Sequence, residues 1–179
     1  MQEPANPKRT KVVHDFAKWT ALSALRSGSP LKSGKQVYDL IETHGNLTVL
    51  FDTTLAIDET AFDHWHEKTV RAFCQAEPAL PVGWAAKIVN VYLKTRVYLA
   101  GEGRKGLVSA IHPPIDYGLQ QGLKKKFPHR PWKIKRIKEF RSYQDDYLLF
   151  IQDCRSLAKK ERCLLIELEF YWRGEPPAE

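Results

Sequence analysis

The chain has 179 residues, 43% of them apolar, and a formal net charge of +7. That content excludes wholesale disorder and supports one folded domain with a sizeable core, and the basic balance favours an anionic partner, nucleic acid first. Three cysteines, Cys74, Cys154 and Cys163, are one too few for a four-cysteine iron–sulfur cluster and give no disulfide framework or zinc-ribbon spacing.

Residues 1–10 read as a polar N-terminal tail, 11–174 as a single helical domain and 175–179 as a C-terminal tail. The N-terminal stretch lacks the apolar core of a signal peptide, and no apolar run approaches the roughly 20 residues of a membrane span. The expectation is a cytoplasmic protein with no membrane partner. Val12–Arg26 repeats apolar residues at helical spacing, with Phe16, Ala17, Trp19, Ala21 and Leu22 among them. Ser33–Thr43 predicts a second helix with Val37, Leu40 and Ile41 on one face. Leu47–Phe51 is short and apolar, and periodicity leaves strand and buried loop both open.

Asp58–Ala76 predicts a helix whose stripe is Phe62, Trp65, His66, Thr69, Val70 and Phe73, with Thr60 and Asp63 set like a capping box. His64 and His66 do not read as a metal pair, because residues two apart on a helix point about 200° from each other. A central helix follows, roughly Trp84–Ala100, apolar almost all round and so enclosed by its neighbours. Gly101, Gly103 and Gly106 loosen the connection after it. Pro113-Pro114 forbids helix, and Asp116 stands where an N-cap is needed for Tyr117–Phe127. Ser142 with Asp145 opens another helix, and Glu161–Trp172 reads as a last one, although Ile166, Leu168 and Phe170 also alternate like a strand. The sum is an all-α, single-domain bundle of about seven helices around a buried central helix.

Between Lys124 and Arg141 the sequence carries Lys124, Lys125, Lys126, Arg130, Lys133, Lys135, Arg136, Lys138 and Arg141 against one acid, Glu139. Phe127, Trp132 and Phe140 are interleaved with them. Such a segment is either a solvated basic loop or a surface that tracks phosphates.

Gly83-Trp-Ala-Ala-Lys87-Ile-Val-Asn90-Val-Tyr-Leu93, followed by Pro114-Ile115-Asp116, resembles the core of the helix-hairpin-helix DNA glycosylases. The same pattern is similar to that of bacterial single-domain proteins without an assigned activity. The glycosylase likeness implies a helix-hairpin-helix element, with Lys87 as the nucleophile at a sugar C1′ and Asp116 as its acidic partner. It implies that amides around Gly83 and Ala85 hold a DNA phosphate. Asn90, His112, Trp84 and Tyr117 would line the pocket of a flipped base, although Asn90 in an apolar helix reads equally as a buried hydrogen-bonding pin. The chemistry suits the residue types: an apolar shell and a helix N-terminus both favour a neutral, nucleophilic amine, and a nearby carboxylate can take its proton.

The likeness covers about forty residues and is incomplete. Ala85 replaces the second hairpin glycine, the segment between Lys87 and Asp116 is long, and Tyr-Gly follows the aspartate. Lys87 could equally snorkel to solvent, and Asp116 could be only a cap. The expected function is therefore a nucleic-acid-acting protein, a base-excision glycosylase or lyase needing no cofactor, with DNA favoured over RNA. Two alternatives stand beside it: a non-catalytic nucleic-acid-binding module, and a structural or interaction protein of a bacterial defence system.

Overall fold

The computed structural model describes residues 6–25, 28–51 and 55–172, and among these every regular element is helical. Eight α-helices form, three of them continued by π-helical turns, so the all-α expectation is met. Helix α1 spans Pro7–Ser23, α2 Gly34–Asp39 with a π extension Leu40–His44, α3 Thr48–Phe51 and α4 Glu59–Ala76. Helix α5 spans Val82–Leu93 with a π extension Lys94–Leu99. Helix α6 is Leu107–Ala110, α7 Tyr117–Lys126, and α8 Leu149–Glu161 after π turns at Tyr143–Leu148. Short 3-10 helices occupy Ile137–Glu139 and Leu165–Tyr171.

Helix α5 is the axis of one compact domain. Every residue from Gly83 to Leu93 is buried, because α1 and α4 pack on its sides and the Ile137–Glu139 turn closes its start. Arg96, which interrupts the apolar run, is buried too. Its guanidinium lies 3.6 Å from the Phe51 ring centroid and donates to Glu102 at 2.6 Å and Tyr92 at 2.9 Å.

Several boundaries differ from the sequence reading for identifiable reasons. Asn6 caps α1 by accepting from the Lys8 amide at 3.0 Å, and Pro7 suits the first helical turn, so the expected tail is helical from residue 7. The inner face of α1 is small, Ala17 and Ala21, while Phe16 and Trp19 stack on each other at the surface. Leu47–Phe51 is neither strand nor loop but leads into the one-turn helix α3. Asp58, not Thr60, caps α4 through the Ala61 amide at 2.8 Å, which releases Asp63 for other partners. Arg162, at a φ of 56°, stops α8, so the last segment is a 3-10 helix rather than an α-helix. The expected stop at Arg173-Gly174 and the tail after it lie outside the described residues.

The Gly-rich connection is folded rather than loose. Gly106 sits at a φ of 87°, where a side chain is disfavoured, and it starts α6. Helix α6 packs on α4 and turns the chain back, and residues 111–115 then run buried toward α7.

The last segment is held to α7 by backbone approach. A Cβ on Gly122 would lie 1.7 Å from the Tyr171 carbonyl oxygen. Glycine to alanine inside a helix ordinarily gains about 1 kcal/mol. Here the sign reverses: Gly122→Ala is expected to destabilise by about 1–3 kcal/mol, the usual cost of overpacking, read as a lower urea midpoint. An unchanged or raised midpoint would show that Leu165–Tyr171 is not docked this way.

Candidate functional site

Lys87 and Asp116, 29 positions apart, meet with Nζ to Oδ2 at 3.1 Å. The contact follows from two matched spacings. Lys87 and Asn90 lie one turn apart on α5, and Pro113 and Asp116 lie three residues apart on the turn that faces it. Asn90 Nδ2 donates to the Pro113 carbonyl at 3.0 Å, so one face of α5 grips both ends of the Pro-Pro-Ile-Asp turn. Asp116 also caps α7, its Oδ1 accepting from the Leu119 amide at 3.0 Å and from Trp172 Nε1 at 2.9 Å. The cap and the ion pair coexist on one carboxylate.

Lys87 is 6% exposed and does not snorkel to solvent. Its Nζ lies 5.6 Å from the Trp84 ring centroid, a cation–π distance. It is the sixth residue of α5, because that helix begins at Val82 rather than Trp84. The helix dipole acts mainly within the first turn, so its effect on Lys87 is smaller than the sequence implied.

Trp84, Asn90 and His112 are buried against protein, and Tyr117 is the one exposed member of the expected pocket lining. Asn90 and His112 belong to a continuous buried network. The Pro113 carbonyl can only accept, which fixes the Asn90 amide. Asn90 Oδ1 therefore accepts from His66 Nε2 at 2.8 Å, and His66 Nδ1 accepts from the Tyr143 hydroxyl at 2.8 Å. The other Asn90 amide hydrogen goes to the Tyr147 oxygen at 2.8 Å. Tyr147 then donates to His112 Nδ1 at 3.1 Å, and His112 Nε2 donates to Asp63 Oδ1 at 2.9 Å. Arg155 closes the chain with a bidentate pair on Asp63, both contacts at 2.7 Å. Tyr143, Tyr147 and Arg155 were not singled out from sequence, and Asp63 was read only as part of a capping box. His66 was read as a polar member of the core stripe, and it is fully buried there, whereas His64 is exposed.

The protonation states follow from burial. Burial, reinforced by neighbouring His112, holds the His66 imidazole well below its ordinary value of 6.5. Burial also lowers His112, against the pull of Asp63. For Asp63, burial alone would raise the carboxyl, but hydrogen bonds from Arg155 and His112 outweigh it and hold it well below the usual carboxylate range. The unfolded chain therefore takes up imidazole protons below about pH 6.5 that the folded chain refuses. Stability that is complete above that pH is lost as pH falls, with a slope of up to about 1.4 kcal/mol per pH unit for each imidazole. The Asp63 contribution has the same sign but fades only below its ordinary value of 3.8. Urea midpoints compared at about pH 7.5 and 5.5 are expected to fall on the acid side; equal midpoints would contradict neutral, buried imidazoles.

The hairpin amides are already bonded. The Gly83 amide donates to the Phe140 carbonyl at 3.1 Å, and the Ala85 amide to the Pro81 carbonyl at 3.1 Å. A phosphate at either would have to displace an internal bond, so this geometry does not favour Gly83 and Ala85 as a clamp. The basic segment is also partly committed. Lys135 pairs with Asp146, Arg136 with Glu139 at 2.6 Å, and Arg130 donates to the Asp153 carbonyl at 3.0 Å. Trp132 and Phe140 are core residues, not stacking platforms. Lys124, Lys125, Lys126, Lys133, Lys138 and Arg141 remain exposed.

The cysteines are free thiols, with Cys154 in the core. Among the described residues no three His, Cys, Asp or Glu side chains gather in a metal-binding group, and no helix is long and apolar enough to cross a membrane. No protein-family model matches this chain, and no curated protein or solved structure matches it significantly. The functional reading therefore rests on the geometry above and on the motif likeness.

Proposed function

We propose that the protein acts on nucleic acid, with DNA as the first substrate class, and uses Lys87 as an amine nucleophile with Asp116 as its carboxylate partner. The observation that carries this is the 3.1 Å Lys87–Asp116 contact on the helix of the glycosylase-like motif. Helices α4 and α5, joined through residues 77–81, could serve as the helical pair of such a motif, which supports this reading. The amine would pass a proton to Asp116 and attack C1′. The N-glycosidic electron pair would leave with the base, which takes a proton, and the sugar would remain bound to Nζ. Loss of the proton at C2′ would then permit strand scission by β-elimination.

Lys87 is buried and Trp172 donates to its partner Asp116, so C1′ reaches Nζ only after a local rearrangement. This enclosure favours a second reading, a nucleic-acid-binding module in which Lys87 and Asp116 only join α5 to α7. Borohydride reduction in the presence of DNA bearing an abasic site separates the two. The first reading yields a covalent adduct at Lys87, and the second yields salt-dependent binding without one.

A further inference from the structure

Trp172 ends the Leu165–Tyr171 segment, and a groove of about 370 Å³ opens beside it. The groove is lined by Gly122, Lys125, Lys126, Phe170, Tyr171 and Trp172. Its two walls carry different chemistry. The α7 wall carries two exposed lysines in the helix's last turn, continuous with Lys124. The other wall carries aromatic rings. Tyr171 turns inward and packs edge-on against Phe127 at 5.2 Å between centroids, while Phe170 points outward and is 88% exposed. Among the described residues no carboxylate lines the groove. The acids Glu161, Glu167 and Glu169 line the cavity on the far side of Phe170, and Glu169 is paired there with Lys94. Phe170 thus stands as a ridge between a basic and an acidic side.

We infer that this groove binds single-stranded DNA, with an unstacked base on Phe170 and flanking phosphates on Lys125 and Lys126. Every base offers a π-face, and every phosphate suits a lysine, so the combination takes a strand with little regard to sequence. A duplex keeps its bases stacked inside and cannot offer one to Phe170. The polarity of the ridge orients the strand, because phosphates on the far side would meet three carboxylates. Trp172 joins the groove to the candidate site, lining the former and donating to Asp116 in the latter. The strand is therefore delivered at the edge of the Lys87–Asp116 pair. This inference rests on the proposed action on DNA, and it names the strand state that the site accepts.

The test is fluorescence anisotropy with a short labelled oligo(dT) and an unlabelled duplex as competitor, across a salt series. The Phe170 ring is 88% exposed and meets Tyr171 only edge-on, so Phe170→Ala should fold as the parent does. Base–aromatic stacking is worth about 1–3 kcal/mol per base, so Phe170→Ala is expected to weaken binding about 5- to 150-fold. The double change Lys125→Gln/Lys126→Gln is expected to reduce the log–log salt slope by about 1.4, at roughly 0.7 per phosphate. Unchanged affinity in Phe170→Ala would overturn the inference, as would a duplex that competes as well as unlabelled oligo(dT). Borohydride trapping on the same variants separates this from the catalytic reading. Phe170-dependent binding with no adduct sinks the catalysis and leaves the groove. An adduct with Phe170-independent binding does the reverse.

Discussion

Replacing Asn90 with leucine is expected to lower the stability of the fold by about 4 kcal/mol. The two side chains are close in size, so the loss comes from hydrogen bonds and not from a cavity. Asn90 is fully buried, with both amide hydrogens given to Pro113 and Tyr147 and its oxygen accepting from His66. Leucine would leave the His66 N–H and the Pro113 carbonyl unpaired in the core, and each such group costs about 1–3 kcal/mol. The Tyr147 oxygen would also lose its donor. Because Asn90 grips Pro113, three residues before Asp116, the same change should loosen the Lys87–Asp116 contact. Urea unfolding measures the first effect. A loss below about 1 kcal/mol would show that the network adds little to the fold.

The second large effect concerns chemistry. Asp116 has two roles that substitution can separate. Asp116→Asn retains an oxygen to cap the Leu119 amide, since asparagine caps helices as well as aspartate does. It removes the charge that would take the Lys87 proton. It is expected to lower stability, because the buried Lys87 amine loses its counter-charge, and on abasic DNA to slow strand scission by about 10²–10⁴-fold. Lys87→Ala removes the nucleophile and is expected to slow scission by at least about a thousandfold. Lys94→Ala supplies the control, because it deletes a lysine from the extension of the same helix and breaks only the pair with Glu169. If all three variants cleave alike, the activity lies elsewhere; if Asp116→Asn merely unfolds, Asp116 is chiefly structural.

Much of the fold was legible in the sequence because it is written locally. The apolar run of α5, the Val37, Leu40 and Ile41 face of α2 and the Asp116 cap each follow from residues within a few positions of one another. The Lys87–Asp116 meeting was legible through a motif rather than through physics. Nothing in the spacing showed that Gly106 and α6 would fold the long connection back. The polar network was not legible. Asp63 and Arg155 lie 92 positions apart, and their residue types are ordinary for helix surfaces.

The basic segment shows the same limit. Its charge count was visible, but not the pairing of Lys135 with Asp146 or the burial of Trp132 and Phe140. Those depend on the chain after α7 folding across the start of α5, where the Gly83 amide meets the Phe140 carbonyl. Trp172 escaped notice because it stands at the end of an expected helix, and only the 3-10 geometry of Leu165–Tyr171 brings it over Asp116. The exposed lysines of this segment, Lys124, Lys125, Lys126, Lys133 and Lys138, are the ones to test for phosphate contacts.

Borohydride trapping on abasic DNA, followed by peptide mass mapping of the adduct, decides whether Lys87 is the nucleophile. One covalent DNA adduct is expected, on the Lys87 Nζ. It should be absent in Lys87→Ala and retained in Lys94→Ala. An adduct on another lysine, or DNA binding with no adduct under reducing conditions, would contradict that role.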